Sequence, residues 1–186
     1  MNINFNFYIK VKIFMKNLFS YPLQVEDIGS GNKTYKIKAN EKQLAEIKNL
    51  LKLDDILRFE STLELKFNKK MHRIDIKGFV DADVVQTSVI SLEKFTKNYH
   101  PSFDIFFDTE LTYNQLRELE FDFDSEIPDI IENGKIDLAE IAMEQLALVL
   151  DDFPRQEGEI FSFKSEFDEE TTQQNNPFAA LSKLKK

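Results

Sequence analysis

The sequence predicts an α+β fold in which a mainly antiparallel sheet with a long central hairpin is covered by two main helices and followed by a flexible C-terminal arm. The hairpin is predicted by two runs of alternating apolar residues within Leu57–Val84. The helices are predicted by capped apolar stripes at Asn40–Leu53 and Asp137–Leu150. The arm is predicted because residues 164–175 are polar and lack apolar periodicity.

The N-terminal part of the chain predicts short strands. Apolar and polar residues alternate from Ile3 to Ile13, which is the period-two pattern of a strand. Because Met15 can also begin a protein, residues 1–14 are either an N-terminal extension or an edge strand. Leu18–Val25 and Thr34–Lys38 indicate two further short strands, which are separated by a turn-forming cluster of glycine, serine and asparagine.

The first helix and the hairpin follow directly. Asn40 is expected to cap the helix, since Gln43 follows at the spacing of a capping box and an apolar stripe comes after it. The outgoing strand predicts one buried face, which consists of Leu57, Phe59, Leu63, Leu65 and Phe67. The return strand predicts a matching face, which consists of Ile74, Ile76, Val80, Ala82 and Val84, with Gly78 in its middle. The polar positions between them predict that the other face of the hairpin meets solvent.

Weaker patterns predict the elements that come next. Val89–Leu92 is expected to continue the sheet, and Phe103–Phe107 is expected to form another short strand. Thr112–Glu120 predicts a brief helix. Residues 121–126 alternate aromatic with acidic side chains, and this pattern leaves their structure open.

These elements predict a single α+β domain over residues 15–163. Its last helix begins at Asp137, and Glu140 follows at the spacing of a capping box. Residues 164–175 are predicted to form a disordered linker, and residues 176–186 a short amphipathic helix that is marginal alone in water and needs a surface to fold against. The residues of this segment that we expect to cap it or to dock onto a partner are Asn176, Pro177, Phe178, Leu181 and Leu184.

The composition limits the available chemistry. The chain has no cysteine, which removes disulfides, thiolate metal sites and cysteine nucleophiles. No apolar run approaches the roughly 18 residues that a membrane span requires, and the N-terminus lacks a secretory pattern. We therefore expect a cytoplasmic protein without a membrane partner.

Charge is divided unevenly along the chain. Residues 1–100 carry a net charge of +5 and residues 101–186 a net charge of −14, within a total of −9. The first half is suited to approach a polyanion, and the second half is suited to attract a basic protein. The alternative is that the acidic half is simply a solvated surface.

The titratable residues do not predict a reaction centre. His72 and His100 are the only histidines, and neither stands at metal-site spacing from a carboxylate pair. Asp137 and Glu140 form an acid pair whose spacing a capping box explains, although a hydrolase that uses both remains an alternative. We expect a protein that is not an enzyme, with no cofactor, no bound metal and no small-molecule substrate.

The turn of the hairpin carries the strongest binding signal. Lys69, Lys70 and Arg73 place three fixed positive charges at its tip. Such side chains on a protruding ribbon are suited to contact RNA phosphates, independently of base sequence. The alternative is a lysine-rich turn that only keeps the hairpin soluble.

Three segments resemble a known family. They are IDLAEIAMEQLALVLDDFP from Ile136, the terminal NPFAAL, and GFVDADVVQTSVISLE from Gly78. From about Met15 onward the chain is similar to the YceD family, the large ribosomal RNA subunit accumulation proteins. The positions that match the family's motif are Gly78, Ile136, Asp137, Leu138, Glu140, Leu146, Leu148, Pro154, Asn176, Pro177 and Phe178. Ser88 stands where many members have a cysteine, so any metal or redox role of that cysteine is closed to this chain.

The resemblance implies a non-catalytic role in making, processing or stabilising the large-subunit (23S) ribosomal RNA. The expected partner is ribosomal RNA or a pre-ribosomal particle, reached in part through a basic ribosomal protein. The alternative is a protein–protein interaction adaptor that does not touch RNA.

Overall fold

The structure, a computed structural model, describes residues 19–29, 31–118 and 127–160. The chain divides into two compact units, Met1–Arg155 and Gln156–Lys186. In the second unit the described residues, 156–160, contain a turn in which the Glu159 amide donates to the Gln156 carbonyl oxygen at 3.2 Å. The predictions for residues 1–14, 121–126, 164–175 and 176–186 lie outside the described residues, and the predicted domain boundaries stay predictions.

The helices and strands described here all belong to the first unit. The strands are β1 (Pro22–Gln24), β2 (Gly31–Lys38), β3 (Asp55–Asn68), β4 (Arg73–Thr87), β5 (Lys94–Tyr99), β6 (Ser102–Asp108), β7 (Asp129–Ile130) and β8 (Lys135–Asp137). The helices are α1 (Glu41–Leu51), α2 (Tyr113–Glu118) and α3 (Leu138–Val149), with a 3-10 turn at Val25–Asp27.

Six of the strands form one sheet in the order β2-β3-β4-β6-β7, with β5 also paired to β4. All pairs are antiparallel except β6 with β7. The strands β1 and β8 form a separate antiparallel pair. These pairings confirm a mixed fold dominated by an antiparallel sheet.

The strand β4 is the axis of the sheet. It pairs with β3 from Asn68↔Arg73 to Asp55↔Val85, and along its other edge it meets first β6 and then β5. The strands β5 and β6 therefore act as one long strand that is broken at His100 and Pro101. Proline has no amide hydrogen to donate, but the Pro101 carbonyl still accepts from the Val80 amide at 2.9 Å.

The core lies between one face of this sheet and the helices α1 and α3. The helix α1 packs on β3, while α3 packs on β4 and β1. The alternating residues of the two central strands are fully buried: Phe59, Leu63, Leu65, Ile74, Ile76, Val80, Ala82 and Val84. The helix α3 adds Leu138, Ala139, Ile141, Ala142, Met143 and Leu146, and α1 adds Ile47.

Both long helices begin with the predicted caps. The Asn40 side chain accepts from the Gln43 amide at 3.1 Å, and the Gln43 side chain accepts from the Asn40 amide at 2.9 Å, so α1 has a complete capping box. The Asp137 carboxylate accepts from the Ala139 and Glu140 amides. A carboxylate at this end is also favoured by the helix dipole.

Two predictions about the sheet are wrong. Leu57 is 56% exposed rather than buried, because the β3–β4 register shifts between Ile56 and Arg58 and turns Ile56 inward instead. Val89–Leu92 does not continue the sheet. It forms a tight turn in which the Leu92 amide donates to the Ser88 carbonyl oxygen at 3.0 Å, and the next strand begins only at Lys94.

Candidate functional site

The hairpin tip is a fixed four-residue turn, residues 69–72. The Met71 amide donates to the Asn68 carbonyl oxygen at 3.2 Å and to its side-chain oxygen at 3.3 Å. His72 takes a left-handed conformation (φ 51°) that returns the chain into β4. Its carbonyl accepts from the amide of Thr109 at 2.8 Å and from the Thr109 hydroxyl at 3.2 Å. The tip is thereby held by the loop that follows β6.

Two of the three predicted phosphate-binding residues are exposed on this turn. Lys69 and Lys70 both face solvent. The Lys69 ammonium lies 5.8 Å from the centre of the Phe67 ring, a cation–π contact that leaves the charge accessible. Neither lysine has a carboxylate partner among the residues that the structure describes. The turn therefore presents two adjacent lysines that have no paired carboxylate within the described part of the chain.

Arg73 is placed differently from the two lysines. Its Nε lies 2.5 Å from Asp75 Oδ1, and its guanidinium carbon lies 3.7 Å from the centre of the Phe106 ring. An arginine that is paired and stacked in this way already has its partners. The three predicted phosphate-binding residues are thus not equivalent. Lys69 and Lys70 lie in the turn, whereas Arg73 lies at the start of β4 and is held by its own partners. His72 also faces an acid, since its Nδ1 lies 3.0 Å from Glu110 Oε1.

The solvent-facing side of the sheet is not a basic surface, although it contains several cations. Lys38 pairs with Glu60 at 2.8 Å on neighbouring strands. Lys77 pairs with Asp104 at 2.6 Å, also across two strands. The charges of these two pairs cancel locally.

The strongest electrostatic feature of this face is a network centred on Arg58. Its Nε donates to Asp83 Oδ2 at 2.7 Å and its Nη2 donates to Asp81 Oδ1 at 2.6 Å. The side-chain amide of Asn98 donates to both carboxylates. Hydrogen bonds from Arg58 and then Asn98 lower the pKa of Asp81 to about 2 and also lower the pKa of Asp83. The same bonds raise the pKa of Arg58.

This network makes the fold less stable at acid pH. The pKa of Asp81 in the folded protein lies below its usual value. The ionised Asp81 side chain therefore contributes fully to the free energy of unfolding above its unfolded-state pKa of roughly 3.9. This contribution is lost as the pH falls towards about 2. Replacing Asp81 with asparagine should lower the free energy of unfolding at pH 7 by about 1 kcal/mol, after allowance for solvent screening, and should flatten its decline below pH 5.

Urea unfolding at several pH values measures this effect. Asp152→Asn is the matched control: Asp152 is exposed and lies near the negative end of the α3 dipole, so its replacement should not lower the free energy of unfolding at pH 7 and should leave the decline below pH 5 in place. An Asp81→Asn protein with the wild-type pH profile would contradict the assignment.

Asp137 is engaged on all sides. Its Oδ1 accepts from the Tyr21 amide at 2.9 Å, from the Ala139 amide at 3.0 Å and from the Glu140 amide at 3.2 Å. The Ser20 hydroxyl donates to its other oxygen. These bonds cap α3 and tie the N-terminal segment to it, and they give Asp137 a structural role.

Ser88 organises the turn that follows β4. Its side chain is buried, and its hydroxyl oxygen accepts from the Ile90 amide at 3.1 Å and from the Ser91 amide at 3.3 Å. Its own amide donates to the Glu93 carbonyl oxygen at 2.9 Å. The hydroxyl is therefore a backbone-binding group in this chain.

The other motif positions divide between the core and the surface. Ile136, Leu138 and Leu146 are buried, and Gly78 lies where β4 closely approaches its neighbours. Leu148 is exposed instead, and the Pro154 carbonyl accepts from the Val89 amide at 2.8 Å. Asn176, Pro177, Phe178, Leu181 and Leu184 lie outside the described residues.

Comparison with known proteins identifies the family. The family model described as large ribosomal RNA subunit accumulation protein YceD matches residues 76–185, which are more than half of the chain. The chain belongs to the YceD family. No curated protein and no solved structure matches it.

The YceD match begins near the start of β4 and runs through the Ser88 turn and α3. The lysines of the hairpin tip lie just before it, so their role is argued from geometry alone. Within residues 19–29, 31–118 and 127–160, no helix is long and apolar enough to cross a membrane. The same residues contain no group of three or more His, Asp or Glu side chains arranged to hold a metal ion.

Proposed function

We propose that this YceD-family chain supports the synthesis, processing or stability of large-subunit (23S) ribosomal RNA in the cytoplasm, by binding and without catalysis. The observation that carries the proposal is the pair Lys69 and Lys70, two exposed lysines without a paired carboxylate among the described residues, on a turn that hydrogen bonds hold in place. The family name supports large-subunit RNA as the kind of RNA, and the exposed lysines of the tip support contact with its phosphates.

A lysine pair on a rigid turn is suited to phosphate rather than to bases. Ammonium groups act as point charges that bind the RNA backbone without reading its sequence. The tip is held by hydrogen bonds to Asn68 and Thr109, so little backbone order must be gained on binding. Contact with ribosomal RNA or a pre-ribosomal particle would therefore be electrostatic and sensitive to salt.

The placement of three aspartate side chains supports a non-catalytic role. Asp137 holds four hydrogen bonds that build the start of α3. Asp81 and Asp83 are held by Arg58. These three aspartates thus have structural partners, and we propose that Asp137 caps α3 and is not the acid of a hydrolase.

A protein–protein adaptor without RNA contact is the second candidate. The observation that favours it is the exposure of large apolar side chains at the end of α3, where Leu148 and Phe153 face solvent. The predicted docking segment, residues 176–186, would serve either function. The two candidates differ in whether affinity for RNA exists and depends on salt.

The proposal predicts that Lys69→Ala combined with Lys70→Ala weakens RNA binding. Because each lysine releases counterions from RNA, the slope of log affinity against log salt should become shallower by roughly 1.5. Affinity at low salt should fall roughly ten-fold or more. Filter binding of the full-length chain to a 23S ribosomal RNA transcript, over a series of salt concentrations, measures both quantities.

The matched control is Lys36→Ala combined with Lys42→Ala. It removes the same net charge from exposed positions in β2 and α1 and should leave the salt slope near that of the wild type. Wild-type behaviour of the tip variant would exclude the tip. A wild-type chain with no salt-dependent affinity for RNA would favour the adaptor.

A further inference from the structure

Met71 is an apolar side chain within the hairpin tip. It follows Lys70, precedes His72 and is 64% exposed. A single exposed apolar side chain is common on protein surfaces and needs no partner by itself. What distinguishes Met71 is its position, because it directly follows the two lysines through which we propose contact with RNA.

The backbone that carries Met71 is held in place. The Met71 amide donates to the Asn68 carbonyl oxygen at 3.2 Å and to the Asn68 side-chain oxygen at 3.3 Å. The His72 carbonyl accepts from the Thr109 amide at 2.8 Å, and His72 Nδ1 lies 3.0 Å from Glu110 Oε1. These bonds do not use the Met71 side chain, so the turn presents that side chain to solvent without depending on it.

The charges nearest to Met71 are divided between the two sides of the hairpin. Lys69 directly follows β3 and is succeeded by Lys70. Asp108 and Glu110 lie at the end of β6 and just after it, and β6 pairs with β4 along the edge opposite β3. Asp108 accepts from the Glu110 amide at 2.8 Å. A polyanion is therefore expected to approach from the β3 side, where the lysines lie.

Charges farther from Met71 occur as neighbours of opposite sign. Arg73 Nε lies 2.5 Å from Asp75 Oδ1. Lys66 and Glu64 are both exposed and share one face of β3, since they are two residues apart on the same strand. The positive charge that is closest to Met71 and lacks a paired acid within the described residues is therefore that of the two tip lysines.

An RNA strand bound to these lysines offers Met71 one kind of apolar surface, which is the flat face of a base. In a continuous duplex the neighbouring bases cover these faces, whereas bases in loops, bulges and strand ends are unstacked and accessible. A thioether makes a favourable contact with an aromatic ring. An unpaired base beside the bound phosphates is therefore the ligand that fits Met71.

We propose that Met71 packs against an unpaired base, so that the hairpin tip selects RNA at a loop, bulge or strand end over continuous duplex. The phosphate contact rests on the proposed function, while the preference for an unpaired base rests on Met71. Lysine contacts to phosphate carry no sequence information, and a thioether is only a weak hydrogen-bond acceptor. The tip therefore recognises the shape of the RNA and not the identity of the base.

Two RNA duplexes with identical ends test this inference. One is fully paired, and the other contains a single unpaired adenosine in the same stem. The full-length chain should bind the bulged duplex roughly three- to ten-fold more tightly than the paired one. Met71→Ala should remove this preference and leave the affinity for the paired duplex unchanged, because every charge stays in place. Met71→Leu should keep part of the preference, since leucine is still apolar.

A fluorescent base gives a direct readout of the contact. When 2-aminopurine replaces the unpaired adenosine, its emission should change on binding of the wild type and should not change on binding of Met71→Ala. Leu57→Ala is the matched control, because it removes an apolar side chain that is 56% exposed on β3, away from the tip. It should leave both the preference and the emission change as they are in the wild type.

The lysine variant separates this inference from the proposed function. Lys69→Ala combined with Lys70→Ala, measured at low salt, should lower the affinity for both duplexes by a similar factor and preserve their ratio. Met71→Ala should change the ratio and leave the salt slope unchanged. Loss of the phosphate contact and loss of the base contact are thereby distinguishable.

Four outcomes would overturn the inference. Equal affinity of the wild type for the two duplexes would leave the phosphate contact standing without a base contact. A preference that survives Met71→Ala would place the unpaired base elsewhere on the chain. An equal loss of affinity for both duplexes in Met71→Ala would mean that Met71 acts on the turn and not on a base. Absence of affinity for either duplex would overturn the proposed function as well.

Discussion

Replacing Gly78 with alanine should destabilise the domain by about 3 kcal/mol, near the upper end of the usual cost of overpacking. A Cβ at this position would lie 2.6 Å from the Thr62 carbonyl oxygen and 2.8 Å from the Phe103 ring. The carbonyl belongs to the neighbouring strand and cannot rotate away, so β3 and β4 would have to separate locally. Equilibrium unfolding in urea measures the loss.

Gly29→Ala is the control for this substitution. Its added Cβ would meet only the end of the Lys33 side chain, at 3.8 Å, and its φ is not in the left-handed region. We expect its stability to equal that of the wild type or to exceed it by about 0.5 kcal/mol, because alanine restricts the unfolded chain. Wild-type stability of Gly78→Ala would mean that the two central strands do not approach as closely as described.

Replacing Asp137 with alanine should cost about 2 kcal/mol, at the upper end of the range for an N-cap. The substitution removes the cap of α3 and also the bonds from Ser20 and the Tyr21 amide that fasten the N-terminal segment. Asp137→Asn keeps an acceptor oxygen, so it should lose less. Thermal and urea unfolding of the three proteins measure the series.

The same series separates a structural Asp137 from a catalytic one. If capping is its role, the affinity of the folded protein for RNA should be unchanged in both variants, and Glu140→Gln should affect stability alone. Unchanged stability of Asp137→Ala would contradict the structural role. A hydrolytic activity that disappears with Glu140→Gln would contradict the non-catalytic proposal.

The parts of the fold that local signals specify were predictable from sequence. The Asn40 and Gln43 capping box and the Asp137 cap depend on residues three positions apart, and both occur in the structure. The alternation in β4 likewise predicts which of its residues are buried, since one face of a strand meets one environment.

The errors come from features with no local signal. Leu57 fits the apolar alternation, and only the pairing of β3 with β4 reveals the register shift that exposes it. The Ser88 turn lacks the glycine that usually marks a positive φ, and Leu92 takes that conformation instead. Four consecutive residues rich in apolar side chains therefore resembled a strand.

Only part of the candidate site at the hairpin tip was predictable from the sequence. Lys69 and Lys70 lie in a turn that sequence alone locates, but the partners of Arg73 include Phe106 on β6, which is near it only in three dimensions.

The ratio of 23S to 16S ribosomal RNA in living cells tests the central claim most directly. In cells that lack the chain, the wild type and the Lys36→Ala, Lys42→Ala control should restore the ratio when expressed at equal levels. The variant with Lys69 and Lys70 changed to alanine should fail to restore it, because the folded domain remains while its phosphate contact is lost. Full restoration by that variant would contradict the account, since RNA accumulation would then not depend on the hairpin tip.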